Sequence, residues 1–172
     1  MKATYIDYRD TNSFSKTLLA YLDNDPELSP FAGNRPDLNG FADQIREKTP
    51  GCDREVLVAQ LRQQYDKLLH SAPEVAANVD ALLDERTFTV TTGHQLNIFT
   101  GPLYFIFKII STIRLARDLQ DAFPDYRFVP VYWMATEDHD FAEINHVRLH
   151  GKKISWETDG RRVEEELSLA GN

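Results

Sequence analysis

Between residues 87 and 156 the apolar positions change period several times, and the changes mark out the elements. Thr87-Phe88-Thr89-Val90-Thr91 alternates with a period of two, as a half-buried strand does. A polar, glycine-bearing stretch follows over residues 92–102. From Leu103 to Leu119 the chain then runs without a breaker, and Leu103, Phe105, Ile106, Phe107, Ile109, Ile110, Ile113, Leu115 and Leu119 leave little polar face in its first half. That run predicts a helix buried on more than one side, with Pro102 at its first position, where a missing N–H is tolerated. Burying one such side chain is worth about 1.5–3 kcal/mol, so together they commit the helix to the core. Residues 127–135, Arg-Phe-Val-Pro-Val-Tyr-Trp-Met-Ala, read as a buried strand. Strand, helix, strand in close succession is a βαβ unit, whose strands are parallel. Tyr104, Tyr132 and Trp133 are read as core residues. After a dense ionisable group, Glu137-Asp138-His139-Asp140, the alternation of His146-Val147-Arg148-Leu149-His150 precedes Gly151-Lys152-Lys153 and Ile154-Ser155-Trp156, which predicts a hairpin.

The first 85 residues pattern mostly as helices. Ala3 to Tyr8 reads as a short strand and Ser13 to Leu22 as a helix capped by Asn12 or Ser13. Pro26, Pro30, Gly33, Pro36 and Gly40 make residues 23–40 a loop. Leu38 to Glu47 is a short helix, and Pro50-Gly51 is a stop. Asp53 caps a helix running to His70, with Val56, Leu57, Leu61, Tyr65 and Leu68 on one stripe, and a further helix spans Glu74 to Leu83 after Pro73. The expected organisation is therefore a mostly helical segment over residues 1–85, packing on a core whose first part occupies residues 86–172. No internal repeat is visible. The tail from Glu157 is polar, includes Glu164-Glu165-Glu166, and reads as a truncation point.

Composition narrows the class. A chain of 172 residues with 42% hydrophobic content can bury a genuine core. A net charge of −8 argues against nonspecific binding to nucleic acid or anionic membranes, both of which are driven by excess Lys and Arg. The single cysteine, Cys52, forms no intrachain disulfide, which suits a reducing cytoplasm, and its Pro-Gly surroundings make it incidental rather than a nucleophile. Neither a signal peptide nor a membrane span is expected, since Lys108, Ser111, Thr112 and Arg114 interrupt the most apolar stretch.

The chemistry concentrates at two chain reversals. A helix that opens after Thr92-Gly93-His94-Gln95 and Thr100-Gly101-Pro102 offers unpaired backbone N–H groups and the positive end of its dipole to a phosphate or carboxylate. The spacing is that of neither the dinucleotide fingerprint nor the P-loop. Parallel strands release their loops at the same sheet edge, so the His94 loop and the 137–140 group are expected side by side at the carboxyl end, where open α/β sheets bind ligands. A rival is a metal-dependent hydrolase or oxygenase. Were residues 139–146 helical, His139, Glu143 and His146 would share one face, a set that suits zinc or iron. A noncatalytic nucleotide-binding module is a third possibility.

Thr92-Gly93-His94-Gln95, Phe99-Thr100-Gly101-Pro102-Leu103-Tyr104, Lys108, Glu137-Asp138-His139-Asp140-Phe141 and Asn145-His146-Val147, in that order, closely resemble the bacillithiol biosynthesis cysteine-adding enzyme family, BshC. The resemblance implies an α/β fold with a Rossmann-like, nucleotidyltransferase-type parallel sheet core, incomplete here, and a cysteine ligase that joins cysteine to glucosaminyl-malate in the last step of bacillithiol synthesis. It also implies a longer protein, with a C-terminal coiled coil through which the intact molecule is a homodimer, and no turnover by this piece alone. Amide formation needs an activated acyl group, and the further likeness to class I aminoacyl-tRNA synthetases points to ATP, with magnesium as an optional companion and no tightly bound metal. On this reading Gly93 admits the nucleotide, and His94 and Gln95 donate to its phosphate oxygens or ribose. Thr100, Gly101 and Lys108 hold a carboxylate or phosphate. Asp138 and His139 bind an amine or ribose hydroxyl and act as a general base, with Glu137, Asn145 and His146 as further contacts.

Overall fold

The computed structural model describes residues 4–48, 51–97, 101–137 and 140–156, and the chain divides into two units, residues 1–49 and 50–172. In the first unit the described residues 4–7 form no strand where one was expected over residues 3–8, and a 3-10 turn follows at Tyr8–Thr11. The Asp7 carboxylate accepts from the Arg9 backbone N–H at 2.8 Å and so caps that turn. Helix α1 (Lys16–Leu22) starts later than expected because the cap is Ser15, whose hydroxyl accepts from the Leu18 N–H at 3.2 Å, rather than Asn12 or Ser13. The breaker-rich stretch contains a 3-10 turn at Pro26–Leu28 and leads into α2 (Leu38–Glu47), which has the expected limits and is capped by Asp37 at 2.9 Å from the Gly40 N–H. Arg35 ties this stretch to α1, donating to the Tyr21 carbonyl at 2.6 Å with its guanidinium 4.7 Å above the Tyr21 ring.

The second unit begins with α3 (Arg54–Gln64), capped by Asp53, whose carboxylate accepts from the N–H groups of Glu55 and Val56 at 3.0 and 3.1 Å. This helix breaks at Tyr65 instead of continuing to His70, and α4 (Asp66–Leu69) is a separate turn. Of the predicted stripe, Leu57 and Leu61 are half-buried and Leu61 packs against the core, but the other three positions are not buried. Val58 is the residue driven into the core, at 1% exposure, while Val56, Tyr65 and Leu68 are exposed. Three apolar positions in near succession, 56 to 58, leave the phase open in sequence, and packing chooses it.

Helix α5 (Pro73–Ala81) starts with its proline and delivers the chain to β1 (Thr87–His94). Arg54 fastens that junction, donating to the carbonyls of Leu82 at 2.8 Å and Thr87 at 3.1 Å. Helix α6 (Leu103–Ala122) then crosses to β2 (Arg127–Met134), which pairs with β1 in parallel from Thr87 opposite Arg127 to His94 opposite Met134. The period of two in β2 serves both faces. Val129 joins Val58, Val79 and Leu82 in one cluster, with Val131 packed against it, while Phe128 and Tyr132 meet Phe123 and Phe105 from the ends of α6. The helical part expected over residues 1–85 is thus shared: α3 to α5 belong to the unit of the strands.

Helix α6 is less buried than its sequence predicts. Thr112, Ala116 and Leu119 are buried, but Leu103, Phe107 and Ile110 are 67%, 60% and 57% exposed. Two strands about 5 Å apart cover one stripe of a helix, and its other side has no covering layer among the described residues. Pro102 precedes α6, with extended backbone, rather than forming its first residue.

After α7 (Phe141–Ile144) the chain makes the expected hairpin of β3 (His146–Leu149) and β4 (Lys152–Ser155), paired antiparallel. Its turn is His150-Gly151, with φ of 48° and 78°. Positive φ at both central residues is the two-residue geometry that matches strand twist. No helix among the described residues is long and apolar enough to cross a membrane.

Candidate functional site

Strand β1 extends beyond its alternating stretch and ends in Gly93 and His94, so the histidine is held by the sheet rather than by a free loop. The reason lies on β2 and just after it. The His94 carbonyl accepts from the Tyr132 hydroxyl at 2.9 Å and from the Ala135 N–H at 3.2 Å, which locks the carboxyl ends of the two strands together. Burial raises the Tyr132 phenol above its ordinary pKa, since the phenolate would lose solvation. The two chain reversals predicted to lie side by side do leave adjacent, parallel strand ends.

Around His94 the contacts are dense. Its Nε2 lies 2.7 Å from the Tyr104 hydroxyl, its Nδ1 lies 2.9 Å from the Asn97 amide nitrogen, and its ring packs edge-on against Phe105, 5.9 Å between centroids. Lys108, one turn beyond Tyr104 on α6, donates to the Gly93 carbonyl at 3.2 Å and stands 5.6 Å from the Tyr104 ring centroid. The structure therefore brings Gly93, His94 and Lys108 together. Gln95 adjoins them but is only 5% exposed, and its carbonyl accepts from the Asn97 amide at 3.0 Å.

The two glycines have separate reasons. A Cβ at Gly93 would stand 3.2 Å from both the Cβ and the carbonyl oxygen of Trp133, so the neighbouring strand occupies that space. Gly101 has φ of +60°, and a Cβ there would come within 2.7 Å of the Asn97 side chain, the same side chain that contacts His94.

On the second reversal, exposed Glu137 accepts from the Trp133 indole N–H at 3.3 Å. Asp138, His139 and Thr100 lie outside the described residues. Asn145 closes the open end of the hairpin. Its amide donates to the Trp156 carbonyl at 3.2 Å, its own carbonyl accepts from the Trp156 N–H at 2.7 Å, and its side-chain oxygen lies 3.2 Å from His146 Nδ1. None of these contacts joins Asn145 to the His94 group. The helical premise of the metal reading is not met, because α7 ends at Ile144 and His146 opens β3.

Tyr104 and Trp133 are not core residues, being 49% and 59% exposed at this edge. Their signal in sequence is positional: Tyr104 is four residues before Lys108, hence on the same helix face, and Trp133 is the next-to-last residue of a strand whose end must face the loop.

With that geometry in place, the family model for the bacillithiol biosynthesis BshC N-terminal Rossmann-like domain matches residues 1–170. The chain belongs to the BshC family. Its relatives include proteins of Flavobacterium psychrophilum, 45% identical over 98% of this chain, and of Christiangramia forsetii, 50% identical over 91%. A Flavobacterium johnsoniae protein is 45% identical over 99%, and all three carry the name "Putative cysteine ligase BshC". The chain spans 32%, 29% and 33% of these BshC relatives, so it corresponds to about a third of their length. The parallel β1–α6–β2 unit is accordingly part of a Rossmann-like core.

Proposed function

We propose that this chain, within a protein of the relatives' full length, serves a ligase that adds cysteine to glucosaminyl-malate and so completes bacillithiol, with a nucleotide activating the cysteine carboxylate. The observation that carries the reading is the polar group gathered at the carboxyl edge of two parallel strands: His94, Tyr104 and Lys108 beside the opening of α6. Ligands of open α/β sheets bind at that edge.

A carboxylate is a poor electrophile, and ATP supplies the activation. The donor set suits such anions. Lys108 carries three N–H donors and spends one on the Gly93 carbonyl, leaving positive charge for a carboxylate or phosphate oxygen. The start of α6 adds backbone N–H groups and its dipole, with no side-chain cap competing for them. Fixed donors of this kind stabilise charge that grows during acyl activation, each by a few kcal/mol. Asp138 and His139, from the adjoining reversal, are assigned to the amine of the acceptor or a ribose hydroxyl, and Gln95, Thr100, Gly101 and Glu137 to shaping the ligand's surroundings. The same reading takes magnesium as ATP's optional companion, a cytoplasmic location and a homodimer.

The test is product analysis by mass spectrometry, with the full-length protein incubated with glucosaminyl-malate, cysteine and ATP. The expected product has the mass of the amide and requires all three reactants. No such product, or one formed without cysteine, overturns the reading. His94→Ala, which removes the ring that holds Tyr104 at 2.7 Å, is expected to lower the rate at least ten-fold.

A further inference from the structure

Both ring nitrogens of His94 are occupied within the protein, and the pattern of partners fixes where its proton lies. The Asn97 amide nitrogen is 2.9 Å from Nδ1 and 3.0 Å from the Gln95 carbonyl oxygen. An NH2 group only donates, so its two hydrogens serve both neighbours, and Nδ1 is the unprotonated acceptor. The Gln95 carbonyl also lies 3.0 Å from Nδ1, but an N–H there would face the amide hydrogens. Turning the amide over would instead set two carbonyl oxygens against each other with no hydrogen between them. The imidazole hydrogen is therefore on Nε2, where it is donated to the Tyr104 oxygen at 2.7 Å.

A phenol that accepts from a ring N–H keeps its own hydrogen to give. Tyr104 is half exposed, and Lys108 places an ammonium beside its ring. We infer that the Tyr104 hydroxyl is the donor this site presents to an anionic oxygen of its ligand, and that His94 acts through Tyr104 as a positioning residue instead of touching the ligand itself. The inference rests on the functional reading above, because it names the side chain that meets the carboxylate or phosphate of that reaction.

Tyr104→Phe, in the full-length protein, keeps the ring and removes one oxygen. Binding is measured by titration calorimetry with cysteine alone and with ATP alone. The expected result is an affinity at least about ten-fold weaker for one of the two, the loss typical of a hydrogen bond to a charged oxygen, and the ligand affected tells carboxylate from phosphate. His94→Ala is expected to weaken the same ligand, and the double variant to bind no worse than Tyr104→Phe alone, a coupling that independent structural damage would not produce. Nitrogen NMR of histidine-labelled protein is expected to show the His94 hydrogen on Nε2. A hydrogen on Nδ1, unchanged affinity for both ligands in Tyr104→Phe, or additive losses in the double variant overturns the inference. Absence of ligation by the wild type, with binding still lost in Tyr104→Phe, removes the ligase reading and leaves the inference standing.

Discussion

At the scale of single residues, the site depends on backbone positions that are not interchangeable. Gly101 holds a left-handed φ and closes on Asn97, so Gly101→Ala combines backbone strain with a contact that cannot give easily. A loss of roughly 1–3 kcal/mol in chemical denaturation is expected. Gly93→Ala meets the Cβ and carbonyl of Trp133 at 3.2 Å, a milder overlap, and about 1 kcal/mol is expected. If Gly93→Ala proved the costlier of the two, these reasons for the glycines would be wrong. Tyr132 makes a pH prediction. Its raised pKa means that the unfolded chain loses this proton first, so the contribution is whole below pH 10.0 and declines as pH rises through the folded value. Tyr132→Phe is expected to flatten that alkaline decline in a pH series of melting curves. His94, Gly93 and Lys108 were legible in the sequence because a strand, a polar loop and a helix frame them. Tyr104 was not, since a tyrosine in an apolar helix looks like core until the histidine it touches is placed.

Among the elements, type was easier to read than phase. The parallel pair, the long helix, α2 with its limits, the Asp53 cap and the hairpin all follow from period and punctuation. What patterning missed was decided by competition between near-equal options: Ser15 over Ser13 as a cap, and Val58 over Val56 as the buried face of α3. That choice is measurable. Val58→Ala removes two methyl groups from a residue 1% exposed and is expected to cost about 2 kcal/mol or more, whereas Val56→Ala, 58% exposed, should change denaturation stability by less than about 0.5 kcal/mol. Helix α6 shows the opposite limit of patterning. Its apolar content is real, but burial requires a layer on each side, and sequence alone does not reveal how wide the described sheet is.

For the whole molecule, the central claim is that two adjacent reversals at the carboxyl edge of β1 and β2 form one ligand site. Family membership supports a ligase, while the geometry gathers polar groups without naming a reaction; the proposed function joins the two at His94, Tyr104 and Lys108. The chain spans about a third of its relatives, so the proposed turnover is measured on a protein of their full length. The most direct measurement is hydrogen–deuterium exchange on the full-length protein with and without ATP and cysteine. Slowed exchange in residues 93–108 and 134–146 together is the predicted result. Protection confined to other parts of the chain, or to one of the two reversals without the other, would contradict it.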